Sequence, residues 1–275
     1  MAQEIIIEAG RSEAHYWRDL WRFRELFGFL AWRDILVRYK QTAIGVVWAV
    51  LRPLLVMFVG VFFRRVTNMG GGSSVPNDIF VLAALLPWQF FANALSESSN
   101  SLVGNANLIS KIYFPRMILP ASAVIVALVD FAITLGIMVV VMVWHQYCPP
   151  WKVFALPLFV ILALITALGP GLLVTAMNVK YRDFRYVIPF IVQFGLFVSP
   201  VFFSSDELGT KGGWASLLVA LNPMTGVIDG FRWCFGVSQT MHWTSFLVSC
   251  GLSFFFLILG VWLFRKTERT FADII

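Results

Sequence analysis

Residues 117–144 read MILPASAVIVALVDFAITLGIMVVVMVW, with Asp130 as the one charged side chain in the run. About 20 apolar residues, rising 1.5 Å each, are enough to cross the hydrocarbon of a bilayer. Working outward from this stretch, residues 43–63 hold a single charge, Arg52, and residues 79–95 hold none. Residues 153–179, 187–203 and 243–264 hold none either. The pattern predicts an all-α integral membrane protein with six transmembrane helices, at about 43–63, 79–103, 117–144, 153–179, 187–203 and 243–264. The whole chain agrees. Of its 275 residues 59% are hydrophobic and 13% are charged, against roughly 25% charged in soluble domains. That excludes a disordered chain, a coiled coil and an ordinary cytosolic enzyme. The net charge of +6 and mean hydropathy of +0.79 fit basic loops facing an acidic leaflet rather than nucleic acid.

The first 40 residues carry 13 of the 36 charges. Leu20, Phe23, Phe27 and Leu30 recur at helical spacing, with Arg18, Arg22, Glu25 and Arg33 opposite and Trp17, Trp21 and Trp32 beside them. Residues 1–42 are therefore expected to form a cytoplasmic amphipathic segment in the headgroup layer. The stripe is also compatible with packing on protein, and the two readings can hold together. With Glu4 and Glu8 and no long apolar core in the opening residues, no secretory leader is expected.

Residues 214–236 are apolar but broken by Asn222-Pro223, Gly226, Asp229, Gly230, Arg232 and Gly236. Orientation decides their status. With six spans and both termini inside, the inner segments carry 15 of the 21 Lys and Arg residues, and the outer segments carry five. This distribution follows the positive-inside rule. A full crossing at 214–236 would put the basic tail outside. The segment 206–236 is therefore expected to be a re-entrant hairpin, irregular backbone being tolerated at depth only when buried in protein or lining a cavity. Such a break hints at a gate on the outer side.

The chemistry of catalysis is hard to find. His15, His145 and His242 lie in separate segments, and no HExxH occurs. Cys148, Cys234 and Cys250 have neither disulfide-framework nor metal spacing. Glu97 is an isolated acid. No phosphate-binding GxxxxGK[ST] loop is present, so ATP and its Mg are expected on a partner subunit, with no cofactor or metal in this chain. No matched Gly/Pro breaks suggest the inverted repeats of a secondary transporter.

Charges at membrane depth cost about 2.5–3.5 kcal/mol on insertion scales and face protein or water. Arg52, next to Pro53, is expected to be a helix-contact or pathway residue, with Pro53 kinking or breaking the helix. Asp130 is its candidate partner. Asp229 and Arg232, three apart, are placed to pair on one face. Aromatic faces suit the apolar C–H faces of sugars. Trp48, Phe58 and Phe62 in the first span and Phe190, Phe194 and Phe197 in the fifth are candidate pathway residues, beside the plainer reading of ordinary packing.

Several stretches together resemble one family. They are Arg33-Asp34-Ile35-Leu36-Val37-Arg38-Tyr39-Lys40-Gln41-Thr42 with Gly45, Trp48 and Arg52-Pro53, then Pro87-Trp88-Gln89-Phe90-Phe91. There follow Asn105 to Arg116 (NANLISKIYFPR), Asn178-Val179-Lys180-Tyr181-Arg182-Asp183-Phe184, Ser199-Pro200-Val201, Asn222-Pro223 and Phe271-Ala272-Asp273. The chain resembles the transmembrane subunit of type-2 ATP-binding-cassette exporters, in the polysaccharide and polyol-phosphate export group that includes O-antigen, capsule and teichoic acid permeases. The resemblance implies a homodimeric channel with two copies of an ATPase subunit docked below. It implies a bacterial inner-membrane location and an undecaprenyl-type lipid-linked polysaccharide as substrate. It assigns Asn107, Lys111, Tyr113, Phe114 and Arg116, in the 104–116 loop, to ATPase coupling and the cytoplasmic gate. It assigns Asn222, Pro223, Asp229 and Arg232 to the outer gate. Independently, Asn105 and Asn107 are possible helix caps in a short docking helix. The sparse charge of the spans tilts the substrate toward an O-antigen-like, mostly neutral glycan. Carbohydrate-binding modules of this family usually sit on the ATPase, and no such module is expected here. The rival readings are a drug or lipid exporter of the same superfamily and a membrane-embedded transferase on lipid-linked sugars.

Overall fold

The computed structural model describes residues 16–40, 45–67, 75–181, 183–205, 214–268 and 271. The described residues are helical, with turns between. Helix α1 is Tyr16–Arg22, α2 Arg24–Lys40, α3 Gly45–Val66, α4 Asn77–Gly104, α5 Ala106–Ile109 and α6 Ile118–Trp144. After a 3-10 turn at Trp151–Ala155 come α7 Leu156–Lys180, α8 Phe184–Val198, α9 Trp214–Ala220, α10 Pro223–Cys234 and α11 Trp243–Glu268. Five stretches are long and apolar enough to cross a membrane: those of α3, α4, α6, α7 with its preceding turn, and α11. Helix α8 is apolar but has 15 residues, short of the roughly 20 that a span needs.

Helix α4 is the axis of the molecule. It packs against α3, α6, α7, α8 and α10, and Ile79 to Trp88 are buried without interruption. Its central stretch therefore shows no lipid-facing stripe. The outer helices do: Val139, Val140 and Val143 of α6 and Phe254, Phe255 and Ile258 of α11 are exposed, as side chains facing acyl chains must be.

Helices in lipid gain little from burying apolar surface against each other, so close contact and polar bonds hold them. The junction of α7 and α11 shows both. A Cβ on Gly169 would lie 2.6 Å from the Leu257 amide nitrogen, and one on Gly260 would lie 2.3 Å from the Gly169 carbonyl. One turn from the Gly169 contact the Thr166 and Ser253 hydroxyls meet at 2.7 Å. Ser249 Oγ accepts the Gly226 amide of α10 at 2.8 Å. Ser249, Ser253 and Gly260 thus form the small-residue face of α11.

The apolar stripe of the N-terminal segment packs on protein. The helix is interrupted at Phe23 into α1 and α2. Leu20, Phe23, Phe27 and Leu30 pack on a protein cluster with Leu102, Phe114, Met117 and Phe264. Trp17, Trp21, Phe29 and Trp32 are the exposed side chains. The part of the segment at residues 1–15 and 41–42 lies outside the described residues. Pro53 neither breaks nor ends α3, which runs on through it as one helix. The fifth apolar stretch stops being helical at Ser199-Pro200, and residues 199–203 turn back beneath α10.

Candidate functional site

The six candidate pathway aromatics fall on two helices that flank α4. Trp48, Phe58 and Phe62 on α3 and Phe190, Phe194 and Phe197 on α8 are all exposed, between 55% and 69%. Helical spacing explains the alignment: 190, 194 and 197 share one face, as do 48, 55, 58 and 62. Phe190 and Phe194 stack with centroids 4.2 Å apart. Phe202 lies beside Phe197 of the α8 row and beside Phe63, the neighbour of Phe62 on α3. One chain therefore presents two exposed aromatic rows, on α3 and α8, on either flank of α4.

At one end of these rows lies a polar cavity of about 320 Å³, between α2, α3, α4, α6 and α8. It holds both intramembrane charges, yet Arg52 is not the partner of Asp130. Arg38 of α2 bonds Asp130 Oδ2 at 3.0 Å and also pairs with Glu97. The Tyr39 hydroxyl donates to Asp130, and Asn93 Nδ2 donates to it at 3.2 Å. Burial first, and then the bond to Asp130, raises the Tyr39 phenol well above its ordinary value, so it stays a donor. Arg52 lines the same cavity, exposed, with no hydrogen-bond or ion-pair partner among the described residues. The correction has a geometric cause. Arg38 lies on a different helix, which docks on α6, and its long side chain reaches both acids.

This clamp ties the surface helix α2 to two spans. Asp130→Leu leaves Tyr39 without its acceptor and removes one of the two acids that hold Arg38. It is expected to release α2, seen as faster proteolysis between residues 24 and 40 in detergent, while Asp130→Asn keeps part of the bonding and an intermediate rate.

The 104–116 loop forms a second site. Helix α5 is a single turn. Neither expected cap acts as one. The Asn105 amide donates to Ser101 O at 2.8 Å, its Oδ1 accepts from Arg33 at 2.9 Å, and no side-chain cap bond forms. Phe114, expected in the coupling surface, is instead buried in the core beside Ile109. Arg116 is anchored to the end of α11, its amide to Glu268 Oε1 at 2.8 Å and its guanidinium to the Glu268 carbonyl at 2.7 Å. Lys111, Ile112 and Tyr113 are exposed between these anchors, as is Asn107. A cavity of about 390 Å³ opens here, lined by the loop, Tyr16, Asp19, Arg265 and Glu268. Burial and then the Glu268 carboxylate push the Tyr16 phenol far above its usual value, while the Arg265 guanidinium lies 4.7 Å over its ring.

The break at Asn222-Pro223 separates α9 from α10. Asn222 Oδ1 caps α10 by accepting the Met224 amide at 2.9 Å, its amide donates to Ser199 Oγ at 2.7 Å, and Pro223 takes the first helical position. Most of α10 is buried. Asp229 accepts from Ser205 Oγ at 2.9 Å, and Arg232 donates to the Val201 and Phe203 carbonyls at 2.9 Å each. These bonds bind α10 to the turn after α8. Residues 206–213 of the expected hairpin lie outside the described residues. Arg64 completes this region. It is 2% exposed, bonds Phe202 O at 3.1 Å, and lies 3.6 Å over the Phe80 ring, with Arg232 4.0 Å over the same ring.

Arg38, Arg64, Glu97 and Glu268 join these sites from outside the residues that the sequence pattern assigns to them. For Arg38 and Glu97 there was a signal, since an acid at membrane depth demands a cation and Arg38 stands just before the first span. For Arg64 and Glu268 none is visible, because a charge at the end of a span reads as a wet one.

The sequence pattern of the ABC-2 type transporter family matches residues 25–236. The chain is similar to the O-antigen export system permease protein RfbA of Myxococcus xanthus, 26% identical over 93% of this chain and 97% of the relative. A Klebsiella pneumoniae protein of the same name is 27% identical over 88% of this chain and 92% of its own. The capsule polysaccharide export inner-membrane protein CtrC of Neisseria meningitidis serogroup B is 24% identical over 86% of this chain and 89% of the relative.

Proposed function

The chain belongs to the ABC-2 type transporter family, and from that premise we propose that it is the channel-forming permease subunit of an ATP-driven exporter of lipid-linked polysaccharide. It is a transporter membrane subunit rather than an enzyme. The observation that carries the polysaccharide reading is the exposed aromatic surface of α3 and α8. Six rings in two rows match the apolar faces of successive sugar residues and need no fixed charge. The names of the relatives support the same substrate class. The sparse charge of that surface favours an O-antigen-like, mostly neutral glycan carried on an undecaprenyl-type lipid.

Two copies would face each other across these rows and enclose the path, which a single chain leaves open on one side. Two ATPase subunits, which hold the ATP and Mg, would dock at the cavity beneath Lys111 and Tyr113. Six crossings in a bacterial inner membrane, with α9 and α10 re-entrant from the outer side, keep both termini cytoplasmic. Helix α10 has 12 residues, about 18 Å at 1.5 Å each, too short to cross. Arg64, Arg232 and Asp229 would then hold the outer gate against the end of α8.

Topology and function are tested separately. In a cysteine-free background, a cysteine placed at Trp214 is expected to react with an impermeant maleimide added outside, as is Cys148 when it alone is restored, while one at Lys266 reacts only after lysis. Labelling of the Trp214 and Lys266 positions from one side would overturn the six-span reading. For function, depletion of the protein is expected to remove polymer from the surface and accumulate it inside. An unchanged glycan on both sides would leave a drug or lipid exporter as the reading, and loss from both sides would indicate biosynthesis.

A further inference from the structure

The cavity at the inner end of the aromatic surface contains a set of groups that the export reading leaves unassigned. Two carboxylates, Glu97 and Asp130, two amides, Gln89 and Asn93, and the guanidinium of Arg52 surround about 320 Å³, with the exposed Trp48 at its edge. Planar carboxylates, amides and guanidinium groups each offer two parallel hydrogen-bonding positions, which match the neighbouring hydroxyls of a sugar ring. An indole offers a flat apolar face for the ring's C–H side. Among the described residues Arg52 and Gln89 spend none of their hydrogen bonds on the protein. The charge is balanced, with Arg38 and Arg52 against Glu97 and Asp130. A diphosphate entering here would meet both acids, whereas a neutral polyhydroxyl compound meets donors and acceptors alike. Trp48 and Arg52 lie one turn apart on α3, the helix that carries Phe58 and Phe62 onward.

We propose that this cavity is a binding subsite for one neutral sugar residue, the first in the row that the aromatic surface continues. Trp48 stacks on the ring, and Arg52, Gln89, Asn93 and the free oxygen positions of Asp130 and Glu97 take its hydroxyls. The proposal rests on the export reading, since the sugar belongs to the exported polymer.

The test places the photoreactive residue p-benzoylphenylalanine at Gln89 or Ala49, both lining the cavity, and at the lipid-facing Val139 as a control. Cells making the polymer are irradiated, and the denatured protein is probed for sugar by periodate oxidation and hydrazide coupling. The expected result is a sugar-bearing adduct at Gln89 or Ala49, several-fold stronger than at Val139 and lost when polymer synthesis is blocked. Adducts bearing polyprenyl lipid without sugar, or no sugar adduct in cells whose variants still export polymer, would overturn the subsite. Depletion without effect on surface polymer would instead overturn the export reading. A second measurement stands apart from photochemistry. Trp48→Phe is expected to keep export and Trp48→Leu to lose it several-fold at equal membrane levels, and equal export by the two would also overturn the subsite.

Discussion

The double variant Lys111→Glu, Tyr113→Ala is expected to remain in the membrane, lose its ATPase partner on purification and export no polymer. The structure gives the reason. The exposed stretch Lys111-Ile112-Tyr113 is held between two anchors, Ile109 and Phe114, that are buried in the core. Arg116 fixes the far end to Glu268. A loop pinned on both sides loses little further freedom when a partner closes on it, so its contacts convert efficiently into affinity. Exposed Tyr113 is the kind of side chain that anchors interfaces, each such anchor contributing about 2 kcal/mol or more, on the order of a 30-fold change in affinity. Reversing Lys111 adds repulsion wherever the partner presents acids. Core burial is untouched, so protein levels should match wild type. Wild-type co-purification and export would show that the ATPase docks elsewhere. Phe114→Ala separates the two roles of the loop. It removes a buried ring, costing about 3–5 kcal/mol, and is expected to lower stability as well as export.

The second large effect lies far from any partner. Gly169→Leu is expected to disrupt the packing of α7 on α11, with loss of protein from the membrane or a clear fall in thermal stability in detergent. An added Cβ would meet the backbone of Phe256 and Leu257 at 2.6–2.9 Å. Backbone atoms cannot rotate aside as a side chain can, so the helices must separate. That also strains the Thr166–Ser253 hydrogen bond at 2.7 Å. Overpacking costs typically about 1–3 kcal/mol where side chains can adjust, and this site lacks that relief. Gly251→Leu, on the facing helix α11, provides the control, since nothing lies within 4 Å of its Cβ position. Equal stability of the two variants would show that the contact is not structural.

Much of the architecture was legible along the chain. The stretches 79–103, 117–144 and 243–264 correspond to α4, α6 and α11 within a few residues, because a long run without charge has few other stable solutions. The break at Asn222-Pro223 was legible because proline at a first helical position and asparagine before it are a start signal with its own hydrogen bond. The candidate site was legible in part. The aromatic positions on α3 and α8 follow from helical spacing, and all six are exposed. Of the residues expected to couple to an ATPase, Asn107, Lys111 and Tyr113 are displayed, while Phe114 is buried and Arg116 is tied to α11.

Sequence by itself determined which segments leave water: the five long apolar helices, the shorter sixth, the polar head, and the two charges within apolar runs, Arg52 and Asp130. Only the tertiary structure decided which faces meet protein and which meet lipid. Phe114 and Tyr113 are neighbours of similar size, yet one is core and the other surface. Asp130 found Arg38 on another helix rather than Arg52, and Gly169 met Gly260 across 91 positions. The physical reason is the solvent. In water an apolar stripe marks the buried face, but acyl chains are as apolar as leucine. Inside the membrane a packed side chain and a lipid-facing one read alike, and the distinction is made by shape and by the few polar groups that must find one another.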